Sequence, residues 1–198
     1  MAPRFRRGEL DAWRGASVPD VFPDPLRLLF VGINPGLWTA AAGAHFARPG
    51  NRFWPALHLA GITSHRVDAS RGMPPAAKAE LEAAGVGITN LVHRATARAD
   101  ELDATQLRAG ARDLVAVVAE RHPVVVAILG LSAFRTAFGK PRTTTGRQAD
   151  DLAGAELWVL PNPSGLNAHE TVESLARWYR DAASAAGVPL HPVTPDTC

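Results

Sequence analysis

Residues 27–36, Arg-Leu-Leu-Phe-Val-Gly-Ile-Asn-Pro-Gly, decide the fold that this sequence predicts. The first seven of them, 27–33, form an apolar run of the kind found in strands that are buried on both faces. Similar short runs recur at 86–89, 124–129 and 157–160. These four runs are the predicted strands of one sheet.

Stretches with helical spacing separate the runs. Three of them place their apolar residues on one helical face: Phe53, Trp54, Leu57 and Ala60; Leu107, Ala111, Leu114 and Val118; and Val172, Leu175, Ala176 and Tyr179. Asn51 is a predicted N-cap for the first. Strands that alternate with helices need crossover connections, so the sheet should be mainly parallel. The predicted fold class is α/β, a three-layer α/β/α sandwich.

The length of 198 residues fits one domain over 1–198, with a core at about 26–186. The basic N-terminal segment and the proline-containing tail from Pro189 should be peripheral, and the tail loose. No apolar stretch approaches the roughly 20 residues that span a bilayer, and no apolar signal core follows the N-terminus. We therefore expect a cytoplasmic protein, associated with the bacterial nucleoid in use, that binds no membrane.

The charged residues and the single cysteine limit the chemistry that the chain can perform. The net charge is only +2, and Lys78 and Lys140 are the only lysines, so arginine carries the positive charge. Arginine suits phosphates and base edges, but a GC-rich coding sequence explains the same usage. The only cysteine, Cys198, excludes an internal disulfide and a four-cysteine zinc or iron–sulfur site. We expect no metal and no cofactor.

Ligands of such sheets bind beyond the carboxyl ends of the strands. Asn34, Asn90 and Asn162 follow three of the four runs within two residues of the predicted strand end. Asn34, in the turn Gly32-Ile33-Asn34-Pro35-Gly36, can hold a water or a carbonyl with its neutral amide. The alternative is a plain strand-to-loop turn.

Two further segments carry residues suited to a nucleobase. Phe46, ten residues beyond Gly36, can stack on an extruded base, or it can pack in the core. Residues 161–169 form a proline-stiffened loop in which Leu166 is an apolar wedge. The alternative is that Leu166 folds back onto the core and that Asn167 and Glu170 cap the last helix.

Together these segments resemble the mismatch-specific uracil-DNA glycosylases, the Mug and thymine-DNA glycosylase branch of the uracil-glycosylase superfamily. The family's G-I-N-P-G motif matches residues 32–36, its F-A-x-P-x-N-R-F-W element matches 46–54, and its N-P-S-G-L motif matches 162–166. Residues 89–94 also resemble the family. The similarity runs from about Leu26 to Tyr179.

The resemblance implies a role for each matching residue. Asn34 would position the water that attacks C1′, without acting as a general base, because its amide is neutral. The residues that would form the base pocket are Gly32, Ile33, Thr39, Phe46 and Asn90. Among them, Thr39 would orient Asn34, Phe46 would stack on the base, and Asn90 would contact the edge of the base. The residues that would contact DNA are Asn162, Ser164, Gly165, Leu166, Asn167, Arg48 and His169. Leu166 would fill the vacated stack, and Gly165 and Asn167 would meet the unpaired guanine. His169 and Arg48 would touch phosphates, although Arg48 can equally be a solvated loop charge.

Two positions depart from the family. His93 stands where this branch usually has Asp or Glu, and it is a solvent-facing substitute, a phosphate contact or an auxiliary catalytic group. Residues 167–169, Asn-Ala-His, replace the Ser-Arg of the nearest bacterial pattern. Both departures leave the base range open.

The implied function is a monofunctional DNA glycosylase of base excision repair. It would flip uracil opposite guanine out of double-stranded DNA and hydrolyse the N-glycosidic bond as a monomer. Thymine, ethenocytosine and hypoxanthine are further candidate bases. The rival of another class is a non-catalytic or weakly catalytic module that binds lesions or mismatches. A Rossmann-like nucleotide binder is disfavoured, because G-x-G-x-x-G and a Walker lysine are absent.

Overall fold

A computed structural model describes residue 5 and residues 7–192 of the chain. Within these residues, no helix is both long and apolar enough to cross a membrane. The basic N-terminal segment lies largely outside the described residues, as do residues 193–198 with Cys198.

One sheet of five strands organises the chain. The strands are β1 (Leu28–Gly32), β2 (Val86–Asn90), β3 (Val125–Leu129), β4 (Gly146–Arg147) and β5 (Glu156–Leu160). Their order is β2-β1-β3-β5-β4, with β2, β1, β3 and β5 parallel and β4 antiparallel to β5. The mainly parallel sheet is confirmed, and each predicted strand agrees with the structure to within a residue at either end.

Helices lie on both sides of the sheet. They are α1 (Arg7–Leu10), α2 (Leu37–Ala42), α3 (Phe53–Leu59), α4 (Pro75–Ala84), α5 (Ala104–Arg121), α6 (Leu131–Phe138) and α7 (Val172–Ala185), with short 3₁₀ turns at Asp11–Trp13 and Ala99–Glu101. The two-residue β4 is a strand that the apolar pattern did not predict, because it is too short for a periodicity to show.

Side-chain alternation along β1 explains the three layers. Leu28 and Phe30 belong to the hydrophobic cluster that contains α3, α4 and α7 residues, whereas Leu29 and Val31 belong to the cluster that contains α5 and α6 residues. Successive residues of a strand point to opposite faces, so an apolar residue at every position supplies two cores. The continuous apolar run in the sequence therefore reflects burial of β1 on both faces of the sheet.

The predicted helical faces are buried, with Tyr179 and Phe53 fully so, except that Val172 is only partly buried. The predicted N-cap of α3 is wrong by one residue: Arg52 is the N-cap, although Asn51 Oδ1 accepts a hydrogen bond of 2.9 Å from the Phe53 N–H at the start of the helix. The alternative cap for the last helix is wrong. Thr171 caps α7 because it directly precedes the helix, and its hydroxyl accepts from the N–H of Ser174, the third helical residue.

The tail is not loose over its described part. The His191 N–H donates to Gly61 O at 2.7 Å, and His191 Nε2 lies 3.1 Å from a Glu80 carboxylate oxygen. These contacts attach residues 188–192 to the α3 and α4 side of the protein. The expectation of a loose segment from Pro189 is therefore wrong as far as residue 192.

Helix α5 passes unusually close to the segment after β2. A Cβ added at Gly110 would lie 2.0 Å from Leu91 O, which is backbone and cannot move aside. We predict that Gly110→Ala lowers the free energy of unfolding by about 1–3 kcal/mol, the usual range for overpacking. Denaturant unfolding measures the change. Gly8→Ala is the matched control, since a Cβ there meets nothing within 4 Å; equal effects of the two changes would contradict the close approach.

Candidate active site

A cavity of about 420 Å³ lies at the carboxyl ends of the parallel strands. Ten residues that the sequence singled out line it: Ile33, Asn34, Thr39, Phe46, Arg48, Asn90, Asn162, Ser164, Leu166 and Asn167. They come from the segments after β1, β2 and β5, which the strand order β2-β1-β3-β5 brings to one edge of the sheet. The topology therefore assembles residues from positions 33 to 167 around one opening.

The amide of Asn34 has a defined orientation. Its Nδ2 donates to Arg94 O at 3.0 Å and to Thr96 Oγ1 at 2.7 Å. The Arg94 carbonyl can only accept, and the Thr96 hydroxyl donates its own hydrogen to Arg98 O at 2.7 Å. Both partners thus require the NH₂ end of the amide. Asn34 Oδ1 accepts no hydrogen bond from the described residues, so it is the end of the amide that can accept one in the cavity.

Thr96, and not Thr39, is the hydroxyl that orients Asn34. Thr39 is buried and lines the cavity, but no hydrogen bond joins it to Asn34 within the described chain. The expected contact is therefore wrong. Thr96 follows β2 by six residues and is buried at 1% exposure. The sequence offered only a threonine shortly after a predicted strand. Thr96 becomes the partner of Asn34 because the loop after β2 returns towards β1.

Phe46 combines the two interpretations that the sequence left open. Its ring stacks on Phe53, which belongs to the core, with centroids 4.0 Å apart, and it also lines the cavity. Its backbone is left-handed with φ 55°, and its N–H donates to no acceptor in the described part of the chain. A positive φ in a non-glycine residue is strained and is typical of functional sites.

Gly32 and Asn90 lie beside this ring; Asn90 lines the cavity, whereas Gly32 does not. They are register partners at the ends of β1 and β2. A Cβ at Gly32 would lie 2.5 Å from Asn90 Oδ1 and 3.1 Å from Phe46 Cζ. Glycine is therefore required for the close approach of the Asn90 oxygen to β1. Asn90 Nδ2 points the other way, 3.2 Å from Nδ1 of buried His45.

The 161–169 loop holds Leu166 in solvent. Leu166 is 78% exposed, so the alternative in which it folds back onto the core is wrong. Within the loop, Asn162 Oδ1 accepts from the Ser164 N–H at 2.9 Å, and Asn167 Nδ2 donates to Asn162 O at 3.1 Å. These internal bonds stiffen the loop, so that the apolar tip projects instead of collapsing.

Arg52 connects this loop to residues 48–52. Its backbone N–H donates to Pro163 O at 2.9 Å, and its guanidinium donates to Ser164 O at 3.3 Å and to Asn167 O at 2.8 Å. Gly165 also lies against residues 48–52, since a Cβ at Gly165 would be 2.6 Å from Gly50 O. The two loops thus form one unit. The sequence did not single out Arg52, because arginine in a loop carries no signal of its partners.

Three predicted residues lie around the cavity in different ways. Arg48 is on its rim, exposed, and makes no side-chain hydrogen bond or ion pair with the described residues. His169 is exposed beside a neighbouring cavity of about 410 Å³ that Asn162 and Asn167 also line. His93 does not line the cavity; it is half-exposed, with Nδ1 3.8 Å from Asp20 Oδ1.

The electrostatics of the cavity offer no free carboxylate. Among the described residues that line it, Asp100 is the only acidic one, and Arg98 binds both of its oxygens, at 3.0 and 2.5 Å. Within the described chain, no group of three or more His, Cys, Asp or Glu side chains is arranged to hold a metal. The chemistry that the cavity can supply is therefore that of neutral amides, backbone N–H groups and an aromatic face.

Comparison with known families agrees with this geometry. The model of the Uracil DNA glycosylase superfamily matches residues 19–183, which cover all the segments around the cavity. The chain belongs to the uracil DNA glycosylase superfamily. Membership implies a DNA glycosylase, a hydrolase that acts on N-glycosidic bonds.

A solved structure supports the fold assignment. The solution NMR structure of a candidate uracil DNA glycosylase from Methanosarcina acetivorans matches with a TM-score of 0.57 at 16% sequence identity. The match covers 85% of this chain and 98% of the archaeal one. At this identity the similarity concerns the fold alone.

We predict that Arg52→Ala loosens the 161–169 loop. Loss of the guanidinium leaves two carbonyls without their donor, and each lost hydrogen bond lowers the stability of the loop by about 1 kcal/mol. Hydrogen exchange of the Asn167 and Ser164 amides should therefore accelerate about tenfold, through local opening. Arg48→Ala is the matched control, because Arg48 lies on the adjacent rim without such bonds. Equal acceleration in both variants would show that Arg52 does not anchor the loop.

Proposed function

We propose that this chain is a monofunctional DNA glycosylase that removes uracil opposite guanine from double-stranded DNA, in the manner of the mismatch-specific branch of its superfamily. The observation that carries the proposal is the orientation of Asn34. Its NH₂ group is engaged by Arg94 O and Thr96 Oγ1, so its oxygen is directed to a water site in a cavity that Phe46 also lines.

The extruded base stacks on the free face of Phe46. The other face of the ring lies on Phe53, which holds the ring in place from behind. The edge of the base then meets Asn90, which lies close against β1 because Gly32 has no Cβ. Stacking of a base on an aromatic ring contributes about 1–3 kcal/mol, which offsets part of the unstacking in the duplex.

Hydrolysis proceeds largely by departure of the base. The N1–C1′ bond breaks and leaves its electron pair on the uracil, while the sugar becomes an oxocarbenium-like cation. The Phe46 N–H, which has no acceptor in the described chain, is a donor that can stabilise the uracil anion. The water on Asn34 Oδ1 then adds its oxygen to C1′ and releases a proton, so the products are an abasic site and free uracil.

This mechanism implies a slow enzyme. A general base typically contributes about 10²–10⁴-fold to a rate, and an amide has no basic lone pair near neutral pH. Asp100 is not available for that role, because Arg98 engages both of its oxygens. Catalysis therefore rests on positioning and on stabilisation of the leaving group.

The tip of the 161–169 loop would recognise the base opposite the flipped nucleotide. Leu166 is exposed on a loop that Arg52 anchors, and it enters the space that the base vacates. Gly165 and Asn167 flank it and would meet the unpaired guanine. We expect four residues that line this cavity or its neighbour to contact the DNA backbone around the flipped nucleotide: Arg48, Asn162, Ser164 and His169. His93 lies outside the cavity, which favours a solvent-facing or phosphate-contact role over a catalytic one.

The test is formation of abasic sites in single-turnover reactions with uracil, thymine, ethenocytosine and hypoxanthine, each opposite every base. Uracil opposite guanine should be cleaved faster than uracil opposite adenine. Asn34→Ala should slow excision by about 10²-fold or more, as loss of positioning does. Asp100→Asn is the matched control and should leave the rate nearly unchanged. A wild-type protein that binds these duplexes but forms no abasic sites would instead be a lesion-binding module.

Thr96 gives a second, finer prediction. Thr96→Val keeps the shape but removes the acceptor for Asn34 Nδ2, so excision of uracil should slow about tenfold, the value of one hydrogen bond. Thr96→Ser retains the hydroxyl and should retain the rate. Thr39→Val is a further comparison, because Thr39 makes no bond to Asn34. The assignment of Thr96 would be wrong if Thr39→Val were the more damaging change.

A further inference from the structure

Residues 13–16, which precede β1, contact a loop that the proposed mechanism uses. The Gly15 N–H donates to Ala95 O at 2.9 Å, and the Ala95 N–H donates to Ala16 O at 2.8 Å. Ala95 directly precedes Thr96, whose hydroxyl accepts from the amide that holds the water. Two backbone hydrogen bonds therefore fix the start of this loop against the N-terminal part of the chain.

Arg14 contacts the other end of the same loop, which we call the 95–101 loop. Its guanidinium donates to Glu101 Oε2, and Glu101 Oε1 accepts from the Arg98 N–H at 2.9 Å. The Glu101 N–H in turn donates to Arg98 O at 3.2 Å, which closes a 3₁₀ turn. The N–H and the carbonyl of Arg98 are thus both held by the residue that Arg14 binds.

The Arg98 carbonyl connects this turn to Asn34. The Thr96 hydroxyl donates to Arg98 O at 2.7 Å, and its oxygen accepts from Asn34 Nδ2 at 2.7 Å. A hydroxyl has one hydrogen, so the acceptor of that hydrogen determines what the oxygen can still do. If Arg98 O moved away, the Thr96 hydrogen would be free to turn towards Asn34, and the direction of the amide would be less well defined.

Arg14 itself is remote from the reacting groups. It does not line the cavity, although three residues of the 95–101 loop beside its partner do: Arg98, Ala99 and Asp100. None of the segments that resemble the glycosylase motifs includes Arg14. An effect of Arg14 on the reaction therefore has to pass through the loop.

We propose that Arg14 is a positioning residue that, through Glu101, holds the 95–101 loop in the conformation in which Thr96 accepts from Asn34. The inference rests on the proposed function. Because the contact orients the catalytic amide, it should change the rate of bond cleavage and not the affinity for DNA. The alternative for a cation beside the cavity wall is a direct phosphate contact, which would weaken DNA binding.

The experiment measures single-turnover excision of uracil opposite guanine by the full-length chain over a range of enzyme concentrations in excess of DNA. The plateau gives the rate constant of the steps after binding, and the half-saturating concentration reports the affinity. Arg14→Ala removes the contact with Glu101, whereas Arg14→Lys keeps the positive charge. Asp11→Ala is the matched control, because it removes the other carboxylate near the guanidinium, at 4.0 Å, and leaves Glu101 in place.

Arg14→Ala should lower the plateau rate about threefold to fivefold, the upper range for one partly exposed ion pair, with the half-saturating concentration unchanged. Arg14→Lys should recover most of the loss, and Asp11→Ala should equal the wild type. A higher half-saturating concentration with an unchanged plateau would make Arg14 a phosphate contact and overturn the inference.

A double-mutant cycle with Thr96→Val distinguishes positioning from a general structural role. Thr96→Val removes the hydroxyl through which Arg14 acts, so Arg14→Ala should have no further effect in that background. The double variant should be slowed about tenfold, as Thr96→Val alone is. If the two effects multiply instead, Arg14 acts independently of Thr96 and the inference is wrong.

Variants of Glu101 give an independent comparison. Glu101→Gln keeps an acceptor for the Arg98 N–H but loses the charge, so its plateau rate should match that of Arg14→Ala. Glu101→Ala loses both contacts and should be slowed about tenfold. A Glu101→Ala variant as fast as the wild type would show that the turn does not need this side chain, which would also overturn the inference.

Failure of the inference is distinguishable from failure of the proposed function. If the wild-type protein forms no abasic sites, the proposed glycosylase activity is wrong and the inference about Arg14 fails with it. If the wild type excises uracil and Arg14→Ala has the same plateau rate, the glycosylase activity stands and only the role of Arg14 is wrong.

Discussion

The cavity of this protein depends on the direction of two neutral amides, those of Asn34 and Asn90. An amide has a donor end and an acceptor end of nearly the same shape, so it contributes chemistry only when its surroundings distinguish them. For Asn34 a backbone carbonyl does so, since a carbonyl accepts and never donates. Arg94 O engages the NH₂ end of Asn34, and the NH₂ end of Asn90 lies 3.2 Å from Nδ1 of buried His45.

Close backbone approach is the second requirement of this arrangement. Gly32 lets Asn90 and Phe46 lie against the end of β1, and Gly165 lets the wedge loop touch Gly50. A methyl group at Gly32 would push Asn90 and Phe46 away from β1, and one at Gly165 would push the loop away from Gly50. The cavity is therefore bounded on one side by a sheet edge and on another by two loops that Arg52 joins, which places an aromatic face, two oriented oxygens and an apolar tip around one space.

Much of the fold was predictable because the apolar pattern of each strand is local. Leu28, Leu29, Phe30 and Val31 alternate between two cores, and a strand that is apolar at every position has no other stable environment. The two-residue β4 and the cap of α7 were not predictable in this way. Thr171 replaced the expected Asn167 and Glu170 because capping depends on where the first turn begins, and the loop before it was occupied by bonds to Asn162 and Arg52.

The sequence by itself determined the mainly parallel sheet, the residues at the ends of its strands and the family to which they belong, since these follow from local patterns of residue types. Only the tertiary structure decided which side chains orient them. Thr96 replaced Thr39 as the partner of Asn34, and His45 and Arg52 contact residues of the site without any signal of their own in the sequence. The physical reason is that a hydrogen bond depends on the position and direction of two groups, and residues such as Asn34 and Thr96, 62 apart in the chain, acquire these only when the sheet and its loops have formed.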